Sequence, residues 1–228
     1  EAIQTYEKGE HLMGKNGTFS YQLADLYKRN GDIAKMIEQY LYSLELGPDR
    51  LDGIEALLQR SLDMKDYPEL ISQLYVFIQQ NPDADYFPEL LGWAFIQQKD
   101  YSKAMRQAKA LDKRMAENGL RVYRLAQIAG NDKDYATAID GYNYILNTQG
   151  PGTPYFMEAK RACLATKRRQ ITDNYNYTID QLRVLEAEYN DFLATNGMNA
   201  RTAWIASELD MLEALYINDL PKAISILK

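Results

Sequence analysis

Apolar side chains recur along most of the chain at steps of three and four residues, and polar or charged residues fill the positions between them. This spacing puts one apolar stripe on one face of each helix and predicts a succession of amphipathic α-helices. No run of strand-like alternation appears in the sequence. The pattern therefore predicts an all-α fold of about 12–13 helices.

The helical pattern repeats with a period of 34 residues. Its most regular marker is an aspartate, found at Asp32, Asp66, Asp100 and Asp134, and three of these copies read Lys-Asp-Tyr. Each period has one apolar stripe before the aspartate and one after it, which predicts two antiparallel helices joined by a tight turn. We expect each aspartate to cap the second helix, because its carboxylate can accept an otherwise unpaired backbone N–H.

The repeating unit resembles the tetratricopeptide repeat (TPR). It has a leucine beside a small residue in the first helix, an apolar residue four positions after the aspartate, and Pro48 or Pro82 after the second helix. The resemblance covers a partial repeat at 1–16 and full repeats at 17–50, 51–84, 85–118 and 119–152. It implies a right-handed superhelical solenoid of antiparallel helix pairs, whose inner surface is formed by the first helices and binds peptides or proteins.

Beyond residue 152 the period fails. Thr153–Ala165 still has a first-helix pattern, and a polar, basic segment follows it. A long helix is predicted at about 178–195, and a further helix at about 199–217. We interpret 153–228 as degenerate C-terminal TPR-like helices.

The resemblance also predicts which side chains face the groove, since these positions on the first helices do not pack against neighbours. They are Tyr21, Asp25, Glu55, Gln59, Tyr86, Glu89, Trp93, Tyr123, Arg124, Gln127, Met157 and Arg161. Trp93 is the most informative of them, because partly exposed aromatic residues are typical binding hot spots. The alternative for Trp93 is ordinary core packing against the adjacent repeat.

Composition limits the function classes. The formal net charge of −6 and the pI near 5.0 argue against nucleic-acid binding. The sequence has no apolar run long enough for a membrane span. His11 is the only histidine and has no metal-ligating residue at the required spacing, and Cys163 lies in an apolar stripe. The sequence therefore predicts no catalytic residue, no cofactor and no metal.

The chain shows no signal-peptide pattern, and its compartment stays open. Both ends look cut from something longer, so end-to-end self-association through an uncovered first half-repeat is a further expectation. A basic cluster, Lys160, Arg161, Lys167, Arg168 and Arg169, indicates either a solvated face or a site for an anionic partner segment.

The leading hypothesis is a non-enzymatic scaffold that binds a peptide or a partner helix in the groove. One alternative is the binding of a small molecule or glycan, with Tyr21, Tyr86, Trp93 and Tyr123 stacking on sugar rings. Another is an accessory region of a larger multidomain protein.

Overall fold

The computed structural model describes residues 1–14, 17–148, 150–173 and 175–226. Within these residues it contains thirteen α-helices and no strand, so the predicted all-α class is confirmed. A 3-10 turn, Pro48–Arg50, precedes α4, and a π-helical turn, Glu213–Ile217, follows α12. The helices are α1 (Ala2–Met13), α2 (Ser20–Arg29), α3 (Ile33–Leu46), α4 (Leu51–Ser61), α5 (Tyr67–Gln80), α6 (Tyr86–Gln97), α7 (Tyr101–Met115), α8 (Leu120–Asn131), α9 (Tyr135–Thr148), α10 (Phe156–Thr172), α11 (Ile179–Asn196), α12 (Ala203–Leu212) and α13 (Leu220–Ile226).

The chain divides into two compact units, unit 1 at 1–111 and unit 2 at 112–228. In unit 1 the apolar stripes of paired helices face each other: α2 packs against α3, and α5 packs against α6. The predicted stripe residues Leu23, Ala24 and Tyr27 of α2 are buried, as are Met36 and Ile37 of α3. The period therefore predicts the core of this unit correctly, and burial of these side chains is its main source of stability.

Most of the turns between paired helices follow the predicted capping chemistry. The aspartate carboxylate accepts a backbone N–H bond from the residue three positions ahead, at 3.1–3.2 Å, in the turns of Asp32, Asp100 and Asp134. The residue before each of these aspartates has a positive φ: Gly31, Lys99 and Lys133. The aspartate N–H closes the same turns by bonding the carbonyl five residues back, as in a Schellman motif.

The cap predicted for Asp66 is wrong. Its carboxylate accepts the backbone N–H of Asp63 at 2.9 Å, so it closes the preceding turn instead of capping α5. The reason lies in α4, which ends at Ser61 and is followed by Leu62 in an extended conformation. The backbone after α4 therefore differs from the backbone after the other first helices, and Lys65-Asp66-Tyr67 does not form the Schellman turn seen at the other aspartates.

Unit 2 continues the helix pairs and adds a buried anchor. α8 packs against α9, and α9 packs against α10. Asp112 is almost fully buried, and its carboxylate accepts the Gly119 N–H at 2.7 Å and the Tyr144 hydroxyl at 2.9 Å. Gly119 has a φ of +88°, and a Cβ there would lie 3.0 Å from Ile145. The turn before α8 therefore depends on one carboxylate and one glycine.

The first of the C-terminal helices is longer than predicted. The pattern predicted a first helix that ends at Ala165, whereas α10 continues to Thr172. Lys167 pairs with Glu188 of α11 at 2.6 Å, and Arg168 pairs with Glu208 of α12 at 3.3 Å. These basic residues extend the helix because they have carboxylate partners on the next two helices.

In the region of the long helix predicted at about 178–195 lies α11, which begins with a reciprocal Thr178–Gln181 capping box. The helix predicted at about 199–217 begins later, at Ala203, because residues 199–202 form a turn. Buried apolar residues of α10, α11 and α12 form one core cluster: Leu164, Leu182, Leu185, Tyr189, Phe192, Ile205, Leu209 and Leu212.

A buried ionic group attaches the last helix to this core. Glu213 begins the π-helical turn with a fully buried side chain, and the Lys222 ammonium of α13 lies 2.8 Å from it. Lys222 also pairs with the buried Glu186, which Arg183 contacts at 2.7 Å. Because a buried carboxylate needs a partner, Lys222 fixes α13 on the core. Across the described residues, no helix has the length and apolar character needed to cross a bilayer.

Candidate partner-binding surfaces

The twelve residues predicted to face the groove are all exposed or half-buried in the structure. They lie on the first helices of the pairs, where the neighbouring stripe residues are buried. Seven of them belong to unit 1 and five to unit 2. None of the twelve side chains is fully buried, and the groove that they were predicted to face stays a prediction, as does their role in binding.

In unit 1, the exposed ring of Tyr21 packs edge-on against Tyr40, with ring centres 6.2 Å apart. The Arg50 guanidinium lies over the Tyr21 ring at 5.6 Å. One turn further along α2, Asp25 pairs with Arg29 at 2.8 Å, and both side chains are largely exposed. This end of the unit presents an aromatic ring between charged groups.

A carboxylate cluster lies on the next two first helices of unit 1. Glu55 of α4 is half-buried, and burial together with the nearby charges of Asp52 and Glu89 raises its pKa to about 7. Desolvation and like charges both disfavour the ionised carboxylate. Gln59 lies one turn beyond Glu55 and is exposed. This part of the surface favours a proton or a cationic group.

Trp93 of α6 is half-buried, with its ring 6.0 Å from the buried ring of Tyr67. One part of the indole thus packs on α5, and another part stays accessible. Tyr86, at the start of α6, lies against Phe87 with ring centres 4.6 Å apart. Its pKa is raised by partial burial and by the charge of Glu45. Trp93 therefore packs partly against α5 and keeps an accessible part, and its role in binding stays a prediction.

In unit 2, Tyr123 of α8 stacks on Tyr155, with ring centres 5.8 Å apart and an angle of 24° between the planes. Its other close aromatic neighbour is Tyr142 of α9, at 5.9 Å. Partial burial and the charge of Glu158 raise the pKa of the Tyr123 hydroxyl. Tyr123, Tyr142 and Tyr155 therefore form one cluster of contacting aromatic rings.

Arg124 and Gln127 line a cleft of about 610 Å³ between α8 and α10, here called the Arg124 cleft. Its floor includes the buried residues Tyr142 and Thr166, whose hydroxyls interact, and Arg169 stands on the opposite side. The Arg169 guanidinium also lies 5.3 Å from the Tyr135 ring. The cleft is therefore lined by the guanidinium groups of Arg124 and Arg169 and by the hydroxyl-bearing side chains of Tyr142 and Thr166.

Met157 and Arg161 of α10 are not part of the Arg124 cleft. Arg161 lies over the ring of Trp204 at 5.0 Å, and Met157 lines a second cleft in unit 2 with Trp204 and Arg201. The repeat pattern did not predict Trp204 or Arg201 as surface residues, because their segment lies beyond the last full period. Trp204 is half-buried, since one part of its side chain packs on the core cluster and another part lines this cleft, and no signal in the sequence indicated the accessible part.

The basic cluster of α10 is mostly engaged within unit 2. Lys167 and Arg168 have the carboxylate partners described above, and Lys160 lies over the Phe192 ring at 5.4 Å. Cys163 is buried as expected, and burial raises the pKa of its thiol. Among the residues that the structure describes, no group of three or more His, Cys, Asp or Glu is placed to hold a metal ion.

No protein-family model and no curated protein matches the sequence. Solved structures similar to the chain include the MamA protein, at 14% identity and a TM-score of 0.39 over 82% of this chain and 98% of that one. A tetratricopeptide repeat protein from Parabacteroides merdae is 11% identical, with a TM-score of 0.38 over 92% of this chain and 77% of that one. TPR-like repeats of a kinesin light chain from Podosopora anserina are 12% identical, with a TM-score of 0.38 over 93% and 92% of the two chains.

The structural evidence for the fold comes from the chain itself. The 34-residue period coincides with helix pairs whose stripe residues are buried, and three aspartates cap the second helices as the repeat requires. These features make the chain an all-α protein of helix pairs whose second helices begin every 34 residues from Ile33 to Tyr135.

Proposed function

We propose that the chain is a non-enzymatic protein-interaction module that holds a peptide or a partner helix against the first helices of its pairs. The observation that carries the proposal is the placement of Trp93, Tyr123 and Arg124. Each stays exposed or half-buried on a helix whose stripe residues are buried. Tryptophan, tyrosine and arginine are the residues that most often dominate binding energy at interfaces.

The two units support this role through different chemistry. Unit 1 presents Trp93 on the same face of α6 as Glu89, since these residues are one turn apart and the charge of Glu89 acts on Glu55 of α4. Unit 2 presents the guanidinium groups of Arg124 and Arg169 around a cleft. The surface of unit 1 suits a cationic segment of a partner, and the Arg124 cleft suits an anionic one.

A glycan-binding role has less support. Sugar rings stack on free aromatic faces, but Arg50 covers the ring of Tyr21 and Tyr155 stacks on Tyr123. Tyr86 likewise lies against Phe87. Three of the four side chains that would have to receive a sugar, Tyr21, Tyr86 and Tyr123, are therefore engaged by neighbours within the chain, whereas Trp93 keeps an accessible part.

The proposal can be tested with peptides selected against the immobilised chain from a random display library. For those selected peptides that bind unit 1, Trp93→Ala should weaken binding by about 2 kcal/mol. It should cost only about 1–2 kcal/mol of stability, because the indole is half-buried against Tyr67. Tyr75→Ala is the matched control, since Tyr75 is an exposed aromatic residue on the second helix α5. Binding is measured by isothermal titration calorimetry, and stability by urea denaturation.

Two results would contradict the proposal. One is a set of selected peptides whose affinity is unchanged by both Trp93→Ala and Arg124→Ala. The other is a stability loss of about 3–5 kcal/mol in Trp93→Ala, which is the cost of deleting a core aromatic residue.

A further inference from the structure

A second cleft in unit 2 lies outside the repeat pattern and has its own recognition chemistry. It has a volume of about 560 Å³, within the usual range for ligand sites. It lies between the loop before α10 and the start of α12, and we call it the Trp204 cleft. The lining residues that matter here are Pro151, Pro154, Met157, Glu158, Arg201 and Trp204.

The apolar part of the cleft is fixed from behind. Met157 and Trp204 are half-buried and both pack on the core cluster of α10, α11 and α12. Their remaining surface lines the cleft together with Pro151 and Pro154. Tryptophan and methionine are enriched at protein interfaces, and here they offer apolar surface at little cost in side-chain ordering.

The cleft has a guanidinium group that is not engaged by a carboxylate. Arg201 is exposed at its edge, and Arg161 does not line the cleft but lies over the Trp204 ring at 5.0 Å. Neither guanidinium forms an ion pair with another residue in the described part of the chain. Although Glu158 also lines the cleft, it does not pair with Arg201. Arg201 can therefore pair with a carboxylate that an occupant brings, and Arg161 adds positive charge beside the indole.

The backbone that carries Arg201 is held in place. The Thr202 hydroxyl is buried and donates to the Gly197 carbonyl at 2.7 Å, and it accepts the Asn199 N–H at 3.0 Å. The Arg201 N–H donates to the Asn199 side chain at 2.9 Å. On the other wall, the rings of Pro151 and Pro154 restrict the backbone. The cleft therefore exists before a partner arrives, which lowers the entropic cost of binding.

We infer that the Trp204 cleft binds a segment of a partner protein in which a large apolar side chain is next to an acidic one. The apolar side chain contacts Trp204 and Met157, and the carboxylate pairs with Arg201. Arg161, whose guanidinium lies over the Trp204 ring, supplies a second positive charge next to the indole. Because Met157 and Arg161 belong to the first-helix surface, this inference extends the proposed function to a further site, and Trp93, Tyr123 and Arg124, which carry the proposed function, do not line it.

The two tryptophans of the chain provide a direct assay, because Trp93 lies in unit 1 and Trp204 lies in unit 2. The ¹⁵N-labelled chain is titrated with a short capped peptide that alternates leucine with aspartate. We expect the indole N–H signal of Trp204 to shift to saturation, while that of Trp93 stays in place. The same peptide with lysine in place of each aspartate should produce no saturable shift.

Arg201→Glu should weaken binding of the aspartate peptide by about tenfold or more, because it replaces attraction by repulsion. Lys133→Glu is the matched charge reversal, at an exposed cation of unit 2 outside the Trp204 cleft, and it should leave the affinity unchanged. Arg201 is exposed, so circular dichroism should show that both variants fold normally.

The inference is overturned if Trp204 does not respond, if the lysine peptide binds equally well, or if Arg201→Glu has no effect. A response to sodium hexanoate as strong as that to the peptide would also overturn it, since the cleft would then recognise a small carboxylic acid. The loss of binding in Trp93→Ala tests the proposed function independently, because that substitution does not touch this cleft.

Discussion

Glu55→Gln should make unit 1 more stable above neutral pH and have little effect in acid. The folded chain holds the Glu55 proton up to a pKa of about 7, whereas an ordinary glutamate releases it near 4.5. Between these values the folded state binds more protons than the unfolded state, so the free energy of unfolding falls as the pH rises. Glutamine has no such proton, and the variant escapes this loss.

The size of the effect follows from the interval between the two pKa values. Each pH unit is worth ~1.4 kcal/mol, which gives an upper limit of about 3 kcal/mol for complete burial. Glu55 is only half-buried, so solvent screening reduces the expected gain to about 1–2 kcal/mol at pH ~8. Near pH ~4 both states of the wild type are protonated, and the variant should then match it.

Urea denaturation followed through the Trp93 indole signal measures this effect, because Trp93 reports on unit 1. Asp25→Asn is the matched control, since it removes a negative charge from the same surface at an exposed position paired with Arg29. It should not stabilise the unit at high pH. The reasoning is refuted if Glu55→Gln is less stable than the wild type at pH ~8, or if its advantage is the same in acid.

Four further substitutions test the packing by urea denaturation. Lys222→Met should lower the free energy of unfolding by about 2–3 kcal/mol near neutral pH, because the buried Glu213 carboxylate loses the ammonium group at 2.8 Å. Burial raises the pKa of Glu213, so the carboxylate becomes neutral in acid and the loss of stability should then be smaller. A loss that does not depend on pH would contradict this explanation. Asp112→Ala should cost about 2–4 kcal/mol and Tyr144→Phe about 1–2 kcal/mol, because the first removes two buried hydrogen bonds and the second removes one. Equal small effects would show that the carboxylate does not hold the turn. Ala104→Leu should cost about 1–3 kcal/mol by overpacking, and a neutral result would mean that the nearly complete burial of this residue is wrong.

The fold could be predicted at positions where a single local interaction, such as a helix cap, restricts which amino acid can occupy the position. A helix-capping aspartate and a leucine of an apolar stripe both depend on contacts within one helix pair or with the next one. Because these contacts recur in each repeat, the 34-residue period identifies such residues in the sequence. Asp66 shows the limit of this reasoning. Its neighbours Lys65 and Tyr67 match the other copies, but the extended conformation of Leu62 redirects its carboxylate to Asp63.

The extent of α10 depended on partners that are distant in sequence. A run containing Lys167 and Arg168 appears as a polar connector when it is considered alone. In the structure these residues reach Glu188 and Glu208 on two later helices. A pairing of this kind has no fixed spacing, so periodicity could not predict it.

In the candidate surfaces, too, some features could be predicted from the sequence and others could not. The exposure of Trp93 and Tyr123 follows from the helical position of each residue, which the repeat defines. The raised pKa of Glu55 could not be predicted, because it arises from carboxylates on two different helices and from burial. The Trp204 cleft could not be predicted either, because Arg201 and Trp204 lie beyond the last full period; of its lining residues, Met157 alone was predicted to face the groove.

The buried carboxylate of Asp112 has a practical consequence for dividing the chain into pieces. A fragment that starts at Leu120 would lose Asp112 and with it the hydrogen bond that the carboxylate accepts from the Tyr144 hydroxyl. A fragment that starts at Tyr101 would retain all of α7 and with it the acceptor. Anyone who wishes to study the C-terminal half alone should therefore choose the earlier start.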